Sequence, residues 1–218
     1  MESTSRFDLD TEVSFLNHGS YGAVPRVVGD VRLKFQLEME TNPDMWFRTT
    51  VKERWLRQLE LLDEFIHSPF RNSLAFVRNV TEAVSSVLSG QYAWKYIVHL
   101  SIAYGAVKLA IMAERDRRNA LECKVVPEVI SINLNDILLG NCDSSSVLER
   151  ISGTLERLSG ELSTDNHGLF IMDHISSVPA VLFDVQKITR VARKFGFQIL
   201  IDGAHCIGHI ALDLKAIE

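Results

Sequence analysis

The sequence lacks any long hydrophobic run, and its apolar stretches reach only a handful of residues. A bilayer-spanning helix needs about 20 predominantly apolar residues, so we expect no transmembrane helix. Residues 1–13 are polar and partly acidic, without the apolar core of a secretory signal. The chain has only 3 cysteines, which are widely spaced and form neither a zinc pattern nor a disulfide framework. This scarcity is typical of a reducing compartment, and we therefore expect a cytoplasmic protein.

Basic segments are equally scarce. The 23 Lys and Arg residues are outnumbered by 28 Asp and Glu residues, which gives a formal net charge of −5. No run of basic residues is interleaved with aromatic residues, so the sequence does not predict nucleic-acid binding. The one dense basic cluster, Arg115, Arg117 and Arg118, follows a helical pattern, and we interpret it as a solvated helix end. With 46% apolar residues, 12 Gly and 5 Pro, the 218 residues are typical of a globular protein with a sizeable core.

Most of the chain alternates between two kinds of apolar pattern. Short apolar runs suited to buried strands occur at 74–77, 96–100, 129–134, 169–172 and 197–201. Helical patterns lie between them at 81–89, 106–117, 146–159 and 184–195. This alternation predicts an α/β fold, with a mostly parallel sheet and helices on both faces.

The N-terminal region has a different pattern. Residues 1–25 are rich in turn-forming residues and predict an irregular arm. Helices are predicted at 26–40 and at about 50–67, because Asn42-Pro43 separates two helical stripes. Thr50 with Glu53, and Ser146 with Glu149, have the spacing of a capping box. We predict that residues 1–45 form an arm and first helix, and that residues 46–218 form the larger domain.

Polar side chains follow four of the five predicted strands. Ligands of open parallel sheets bind at the carboxyl ends of the strands, so these side chains are candidates for one site. The candidates are Thr81 after the first strand, Tyr104 after the second, Ser177 after the fourth, and Asp202 with His205 after the fifth.

Each candidate has a structural alternative. Asn79 and Thr81 either cap a helix or leave its amides free for a phosphate. Tyr104 either covers the core or stacks on a flat heteroaromatic ring. A buried Asp202 needs a partner, which could be a structural group, a metal ion or a protonated ring nitrogen. His205, Cys206 and His209 invite a metal hypothesis, but Gly203 and Gly208 argue against a regular helical ligand pair, and we expect no metal.

A phosphate seat, a stacking aromatic and a strand-end carboxylate together suit pyridoxal 5′-phosphate (PLP). This cofactor combines a phosphate, a flat ring and a pyridine nitrogen whose protonation makes the ring an electron sink. The order of these segments resembles the class-V aminotransferase family of fold-type I PLP enzymes, and most of all its isopenicillin N epimerase-like branch, which includes C–S lyases. The matching segments are 15–22 (FLNHGSYG), 24–25 (VP), 42–48 (NPDMWFR), 79–83 (NVTEA), 104–108 (YGAVK), 173–177 (DHISS) and 202–205 (DGAH).

The resemblance implies a role for each candidate. Thr81 and neighbouring amides would hold the cofactor phosphate, Tyr104 would stack on the ring, and Asp202 would pair with the pyridine nitrogen. His205 would lie beside the ring near its phenolic oxygen. Ser177, with Ser176 as the alternative, would contact that oxygen. The family also implies a homodimer for the full-length protein.

One departure from the family concerns catalysis. The Schiff-base lysine of the family lies about two dozen residues beyond the strand-end Asp, whereas only 16 residues follow Asp202 here. Lys215 comes too early, so we assign no catalytic residue. We therefore expect a PLP-dependent enzyme that acts on an amino-acid-type substrate. We expect this shortened chain to be inactive. The alternatives are a non-catalytic partner of a full-length relative and a metal-dependent hydrolase built on Asp202, His205 and His209.

Overall fold

The computed structural model describes residues 6–69, 73–90, 92–140, 143–163 and 167–217. The chain divides into two compact units, Met1–Phe65 and Ile66–Glu218. The assignment of residues 1–45 to an arm and first helix, and of 46–218 to a PLP-binding domain, stays a prediction. Cys142 lies outside the described residues.

The first unit contains a broken run of helix. Helix α1 (Arg26–Thr41) ends at Asn42, and α2 (Pro43–Met45) restarts there because the Asn42 side chain accepts a hydrogen bond from the Met45 amide at 3.1 Å. A π-helical turn (Trp46–Thr50) then leads directly into α3 (Val51–Ile66). The predicted capping box at Thr50 is wrong, because the helix is already running there and has no free first turn to cap.

Helix α3 is held to α1 within the first unit by Arg54. Its guanidinium donates to both carboxylate oxygens of Glu38, at 2.9 and 2.8 Å. The same guanidinium lies 4.4 Å from the ring centre of Phe35 and 5.0 Å from that of Trp46. The Arg54 side chain thus joins α1 to α3 through both an ion pair and cation–π contacts.

The second unit is built on a four-stranded parallel sheet. Its strands are β1 (Trp94–Leu100), β2 (Glu128–Ile132), β3 (His167–Asp173) and β4 (Phe197–Asp202), in the order β2-β1-β3-β4. Four of the five predicted strands are therefore confirmed. The strand predicted at 74–77 is wrong: the segment pairs with no strand of the described chain, and Phe76 and Val77 are exposed.

Six helices accompany this sheet among the described residues. They are α4 (Val80–Leu88), α5 (Gly105–Ala120), α6 (Asn135–Leu139), α7 (Ser144–Ser159), α8 (Val185–Lys194) and α9 (Leu214–Ile217). Helix α7 begins at Asp143, whose carboxylate accepts from the amides of Ser145 and Ser146. The predicted capping box at Ser146 is wrong, because the helix starts earlier and Asp143 already satisfies its first turn.

The sheet separates two hydrophobic cores, as the α/β prediction requires. Leu169 and Ile171 of β3 pack with α4 and α5 on one face, through Val84, Leu88, Val107 and Ile111. Phe170 and Met172 pack with α7 and α8 on the other face, through Val147, Ile151, Leu155, Val185 and Ile188. Successive strand residues point to opposite faces, so the continuous apolar run of β3 supplies both cores.

Helices α4 and α5 are tied together at their C-terminal ends. Arg118 is buried, and its guanidinium donates to Glu114 at 2.6 Å and to the carbonyls of Leu88 and Gly90 at 3.4 Å each. The interpretation of this basic cluster as a solvated helix end is therefore wrong for Arg118. Its burial follows from its position on the face of α5 that meets α4.

None of the described helices is both long and apolar enough to cross a bilayer.

Candidate functional site

The candidate site lies at the carboxyl ends of β1, β3 and β4. Asp173 and Asp202 end two neighbouring strands and are paired in the ladder. Both continue the side-chain alternation that places Ile171 and Leu200 against α4 and α5, so both belong to that face of the sheet. The amide of His174 donates to the carbonyl of Asp202 at 2.8 Å and fixes the two strand ends together.

Asp202 is buried, with 6% of its surface exposed. Its Oδ1 accepts a hydrogen bond from the Ala204 amide at 3.0 Å, and no other donor to this carboxylate occurs within the described ranges. Residues 203–206 turn sharply after the strand, with the Cys206 amide donating to the carbonyl of Gly203 at 3.0 Å. The sequence-predicted carboxylate therefore stands at a strand end with capacity for a further donor.

Asp173 was not among the predicted site residues, and the structure places it beside Asp202. It is 5% exposed, and burial, followed by the negative charge of Asp202, raises the pKa of Asp173 to about 6. A carboxyl group that follows an apolar strand was the signal for Asp202, and the same signal was present in Ile171-Met172-Asp173. The adjacency of the two carboxyl groups depends on sheet order, which the sequence does not state.

A half-buried lysine and a buried histidine also lie at this edge. Lys108, in the first turn of α5, donates to the carbonyl of Ser101 at 3.2 Å, and its positive charge acts on both Asp173 and His99. His99 is buried, and its Nδ1 donates to the carbonyl of Leu100 at 2.9 Å. Burial, with a contribution from Lys108, lowers the pKa of His99, so its ring is neutral at pH 7.

Thr81 and Tyr104 lie at the N-terminal ends of α4 and α5. Both helices place their C-terminal ends at Arg118, near the start of β1, and α5 begins just after β1 ends. The N-terminal end of α5, with Tyr104, therefore lies at the carboxyl edge of the sheet, the edge at which β4 ends in Asp202. Helix N-termini carry partial positive charge and free amides, which suit an anion at this edge.

The first turn of α4 leaves two amides open. Asn79 Oδ1 accepts from the amide of Glu82 at 2.9 Å, so the capping alternative for Asn79 is realised. The amides of Val80 and Thr81 have no acceptor within the described chain. Thr81 itself is exposed, and the carboxylate of Glu82 is paired with Arg78, which lowers the pKa of Glu82 and leaves it deprotonated.

Tyr104 precedes the first residue of α5 and is 53% exposed. Its side chain makes no capping hydrogen bond to the helix. A role of the Tyr104 ring in stacking stays a prediction.

Two adjacent serines follow β3 and have different environments. Ser176 is buried, donates to the carbonyl of Pro179 at 2.6 Å and accepts from the amide of Val181 at 3.1 Å. Ser177 is half-buried, and no side-chain hydrogen bond is found for it among the described residues. Ser176 is thus committed to the loop, which leaves Ser177 as the available hydroxyl.

The residues of the metal hypothesis do not form a metal site. His205 is half-buried, while His209 is exposed and its Nδ1 donates to the carbonyl of His205 at 2.7 Å. Burial and the charge of Asp202 raise the pKa of the Cys206 thiol, which opposes thiolate formation. Within the part of the chain that the structure describes, no group of three metal-ligating side chains could hold an ion. The hydrolase alternative therefore has no ligand set to support it.

Lys215 does not occupy the position expected of a cofactor-bound lysine. It is exposed in α9, and its amide donates to the side chain of Asp213 at 3.0 Å. As predicted from its position in the sequence, it is a surface residue.

Comparison with curated proteins gives relatives of low identity over nearly the whole chain. A probable chloroplastic L-cysteine desulfhydrase of Arabidopsis thaliana is 25% identical over an alignment of 221 positions, gaps included, that covers 95% of this chain and 43% of that protein. A hercynylcysteine sulfoxide lyase of Schizosaccharomyces pombe is 24% identical over 220 residues, covering 100% of this chain and 51% of that protein. The chain thus spans about half the length of the curated relatives it matches. No family model matches it.

Solved structures share the fold. A mutant of the C–S lyase C-DES, with glycine covalently linked to its PLP cofactor, superposes with a TM-score of 0.72 at 19% identity, covering 95% of this chain and 51% of that one. The apo cysteine desulfurase of Thermococcus onnurineus NA1 gives 0.73 at 16% identity, covering 97% and 49%. These matches confirm the predicted α/β fold.

Proposed function

We propose that this chain forms the cofactor-binding part of a PLP-dependent enzyme that cleaves a C–S bond in a cysteine-like amino acid. The observation that carries the proposal is the buried Asp202 carboxylate, at the carboxyl edge of the sheet where α5 begins. The names of the matched relatives, desulfhydrase and sulfoxide lyase, narrow the substrate to sulfur-containing amino acids. An epimerase reaction of the isopenicillin N type has no counterpart among those names.

The residues present suit PLP group by group. The open amides of Val80 and Thr81 would receive the phosphate, assisted by the partial positive charge of α4. The exposed ring of Tyr104 would stack on the pyridine ring. Asp202 has one protein donor and would accept a second hydrogen bond, from the protonated pyridine nitrogen.

Two further residues would contact the phenolic oxygen. Ser177 would donate its hydroxyl hydrogen, because Ser176 already serves the loop. His205 would lie nearby, in the turn that Asp202 begins. When bound, PLP supplies an electron sink for bond cleavage at the amino acid, while these residues orient it and preserve its ring charge.

The whole enzyme is proposed to be a homodimer in the cytosol. Dimerisation is what the family resemblance implies, and the cytosol follows from the scarcity of cysteine. One matched relative is named as chloroplastic, and imaging of a tagged full-length protein would test the cytosolic assignment.

An equilibrium titration tests cofactor binding directly. The probe is 4′-deoxypyridoxine 5′-phosphate, which has the ring, nitrogen and phosphate of PLP but no aldehyde to react with surface lysines. We expect saturable binding to residues 1–218, followed by the fluorescence of the hydroxypyridine ring. Pyridoxine without phosphate should bind more weakly, because it leaves the amides of α4 unused. Absence of saturable binding up to millimolar probe would refute the proposal for this chain.

A further inference from the structure

The strongest unassigned feature of the molecule is the second buried carboxyl group at the sheet edge. Asp173 and Asp202 are ladder partners, and strands in a sheet lie about 4.7–4.9 Å apart, so their side chains are neighbours on one face. Both residues are more than nine-tenths buried. Two like charges at this separation in a dehydrated site repel each other strongly.

The groups that face this pair are few. From α5, Lys108 supplies the one positive charge that acts on Asp173 among the described residues. From β1, His99 is held neutral by burial and by Lys108. From the turn after β4, the Cys206 thiol remains protonated. His174 belongs to the opposite face of β3, by the alternation of strand side chains. His205 lies in the same turn as Cys206 and is half-buried. Lys108 is thus the one positive charge found to act on Asp173 among the described residues.

We propose that Asp173 is a positioning residue that acts through Asp202: Asp173 strengthens the hold of Asp202 on a cationic ring nitrogen when Asp173 is itself ionised. This inference rests on the proposed function, because it takes the ligand of Asp202 to be the cofactor ring. The inference adds Asp173, and a dependence of binding on pH, to the proposed contact between Asp202 and the cofactor ring.

The proton balance of the pair is simple. In the empty site, Asp173 keeps its proton more readily than an ordinary aspartate, because it is buried and lies beside the Asp202 charge. A protonated pyridine nitrogen brings a positive charge to the edge, which favours loss of the Asp173 proton to solvent. Binding of the protonated ring is therefore coupled to proton release from Asp173 near pH 6, and no other reactant is needed.

The first experiment uses the unliganded chain and does not depend on the cofactor. The pKa of Asp173 is raised from 3.8 to about 6 in the folded state, so the folded state binds more protons than the unfolded state in that interval. Stability contributed by this group is highest below pH 4 and falls as the pH rises towards 6. We expect the urea midpoint of Asp173→Asn, relative to that of the wild type, to increase between pH 4 and pH 7. The matched control Asp116→Asn, at an exposed carboxylate of α5, should change less over this interval than Asp173→Asn does.

The second experiment measures the effect on binding. The affinity of 4′-deoxypyridoxine 5′-phosphate is measured from pH 5 to pH 7.5 for the wild type, Asp173→Asn and Asp116→Asn. At each pH the wild-type affinity is divided by the affinity of the variant. Protonation of the probe affects both affinities equally, so it cancels in this ratio. We expect Asp173→Asn to bind about three- to tenfold more weakly at pH 7.5 and equally at pH 5, as for one added charge in a partly screened site.

The outcomes separate this inference from the function it rests on. Parallel urea profiles, or equal affinities of wild type and Asp173→Asn at every pH, would overturn the role of Asp173 while wild-type binding upholds the proposed function. Loss of binding in Asp173→Asn at all pH values would indicate a merely structural role and would also overturn the inference. Failure of the wild type to bind would overturn the proposed function, and the inference with it.

Discussion

At the scale of single residues, Asp202 and Tyr104 would give a ligand two different kinds of contact. The buried carboxylate offers a charge-assisted hydrogen bond, whereas the exposed ring offers a flat apolar face. Hydrogen bonds to charged groups contribute roughly 1.5–3 kcal/mol, and removing only a phenolic hydroxyl leaves a stacking face intact.

These two contacts predict unequal losses of affinity. Asp202→Ala should weaken binding of 4′-deoxypyridoxine 5′-phosphate by about ten- to hundredfold, which corresponds to the energy of that bond. Tyr104→Phe should change the affinity by less than about threefold, since the ring remains. Fluorescence titration of both variants checks the difference, and equal losses would show that the assigned roles are wrong.

Gly168 in β3 is a residue whose identity is set by a close approach. A β-carbon at this position would lie 2.5 Å from ring atoms of Phe197, which is 2% exposed, and 3.0 Å from Cδ1 of Leu162. The Phe197 ring is part of the core shared with α7 and α8 and has little room to move.

Substitution of this glycine should therefore cost stability. We expect Gly168→Ala to lower the free energy of unfolding by about 1–3 kcal/mol, the usual range for overpacking. Gly153→Ala is the matched control: it lies within α7, where a β-carbon meets nothing within 4 Å. There the change should raise stability by about 0.5–1 kcal/mol. Urea unfolding of both variants tests the opposite signs, and a loss in both would argue against the packing account.

Residue-level prediction from the sequence was uneven for a physical reason. Asp202 could be predicted because burying an unpaired carboxylate at a strand end costs free energy, which indicates a partner. Asp173 satisfied the same criterion, but its importance comes from pairing with Asp202, and ladder pairing depends on strand order. The roles of Thr81, Tyr104, Ser177, Asp202 and His205 remain predictions, which the titrations above address.

At the scale of helices, α4 and α5 are joined by a buried ion cluster. Glu114 accepts from Arg118 at 2.6 Å and from two nitrogens of Arg117 at 2.8 Å each. The Arg117 contact is the main cause that lowers the pKa of Glu114, and Arg118 adds to it. The Arg118 guanidinium also reaches the carbonyls at the end of α4, so one side chain connects two helices.

Removal of the buried carboxylate should loosen this junction. Glu114→Ala leaves the Arg118 cation buried without its partner, and we expect a loss of about 3–5 kcal/mol in unfolding free energy. Asp116→Ala, which removes an exposed partner of Arg115, should cost less than about 1 kcal/mol. Thermal and urea unfolding provide the measurement, and comparable losses would contradict the importance of burial.

The same cluster predicts a dependence on pH. Because the folded-state pKa of Glu114 lies below 4.5, its contribution is present above that pH and is lost as the pH falls through the lowered value. Wild-type stability should therefore decline on acidification below about pH 4.5 more steeply than that of Glu114→Gln. Equal slopes in the acid range would indicate that other carboxylates dominate.

Helices and strands were predicted correctly where the period of the apolar pattern and the length of the segment indicated the same element. The helices at α1, α5, α7 and α8 and all four strands of the sheet follow from apolar patterns that one period explains. The run at 74–77 misled because four apolar residues carry no information on whether a partner strand is available. Arg118 misled because charge alone suggests solvent, while its position on the face that meets α4 buries it.

At the scale of the whole molecule, covalent attachment of PLP depends on a lysine at the site. Of the lysines in the described residues, Lys108 lies at the sheet edge and is engaged with Ser101, whereas Lys215 is exposed in α9. No lysine of the 218 residues stands in the family's motif.

Incubation of residues 1–218 with PLP followed by borohydride should thus give scattered, substoichiometric labelling. Mass spectrometry should locate the label on surface lysines such as Lys52 and Lys187, because reaction there needs only solvent access. Amino acids should not be turned over at an enzymatic rate. A stoichiometric adduct on one lysine, with a spectral change on adding cysteine, would contradict this expectation.

The position of β4 at one end of the sheet order has a practical consequence for laboratory work on residues 1–218. Its sequence, Phe-Gln-Ile-Leu-Ile-Asp, contains neither proline nor lysine, the residues by which natural proteins usually guard an outermost strand. A segment of this composition favours stacking of one molecule on the next into fibrillar or amorphous deposits. Overexpression of these residues alone is therefore expected to favour inclusion bodies.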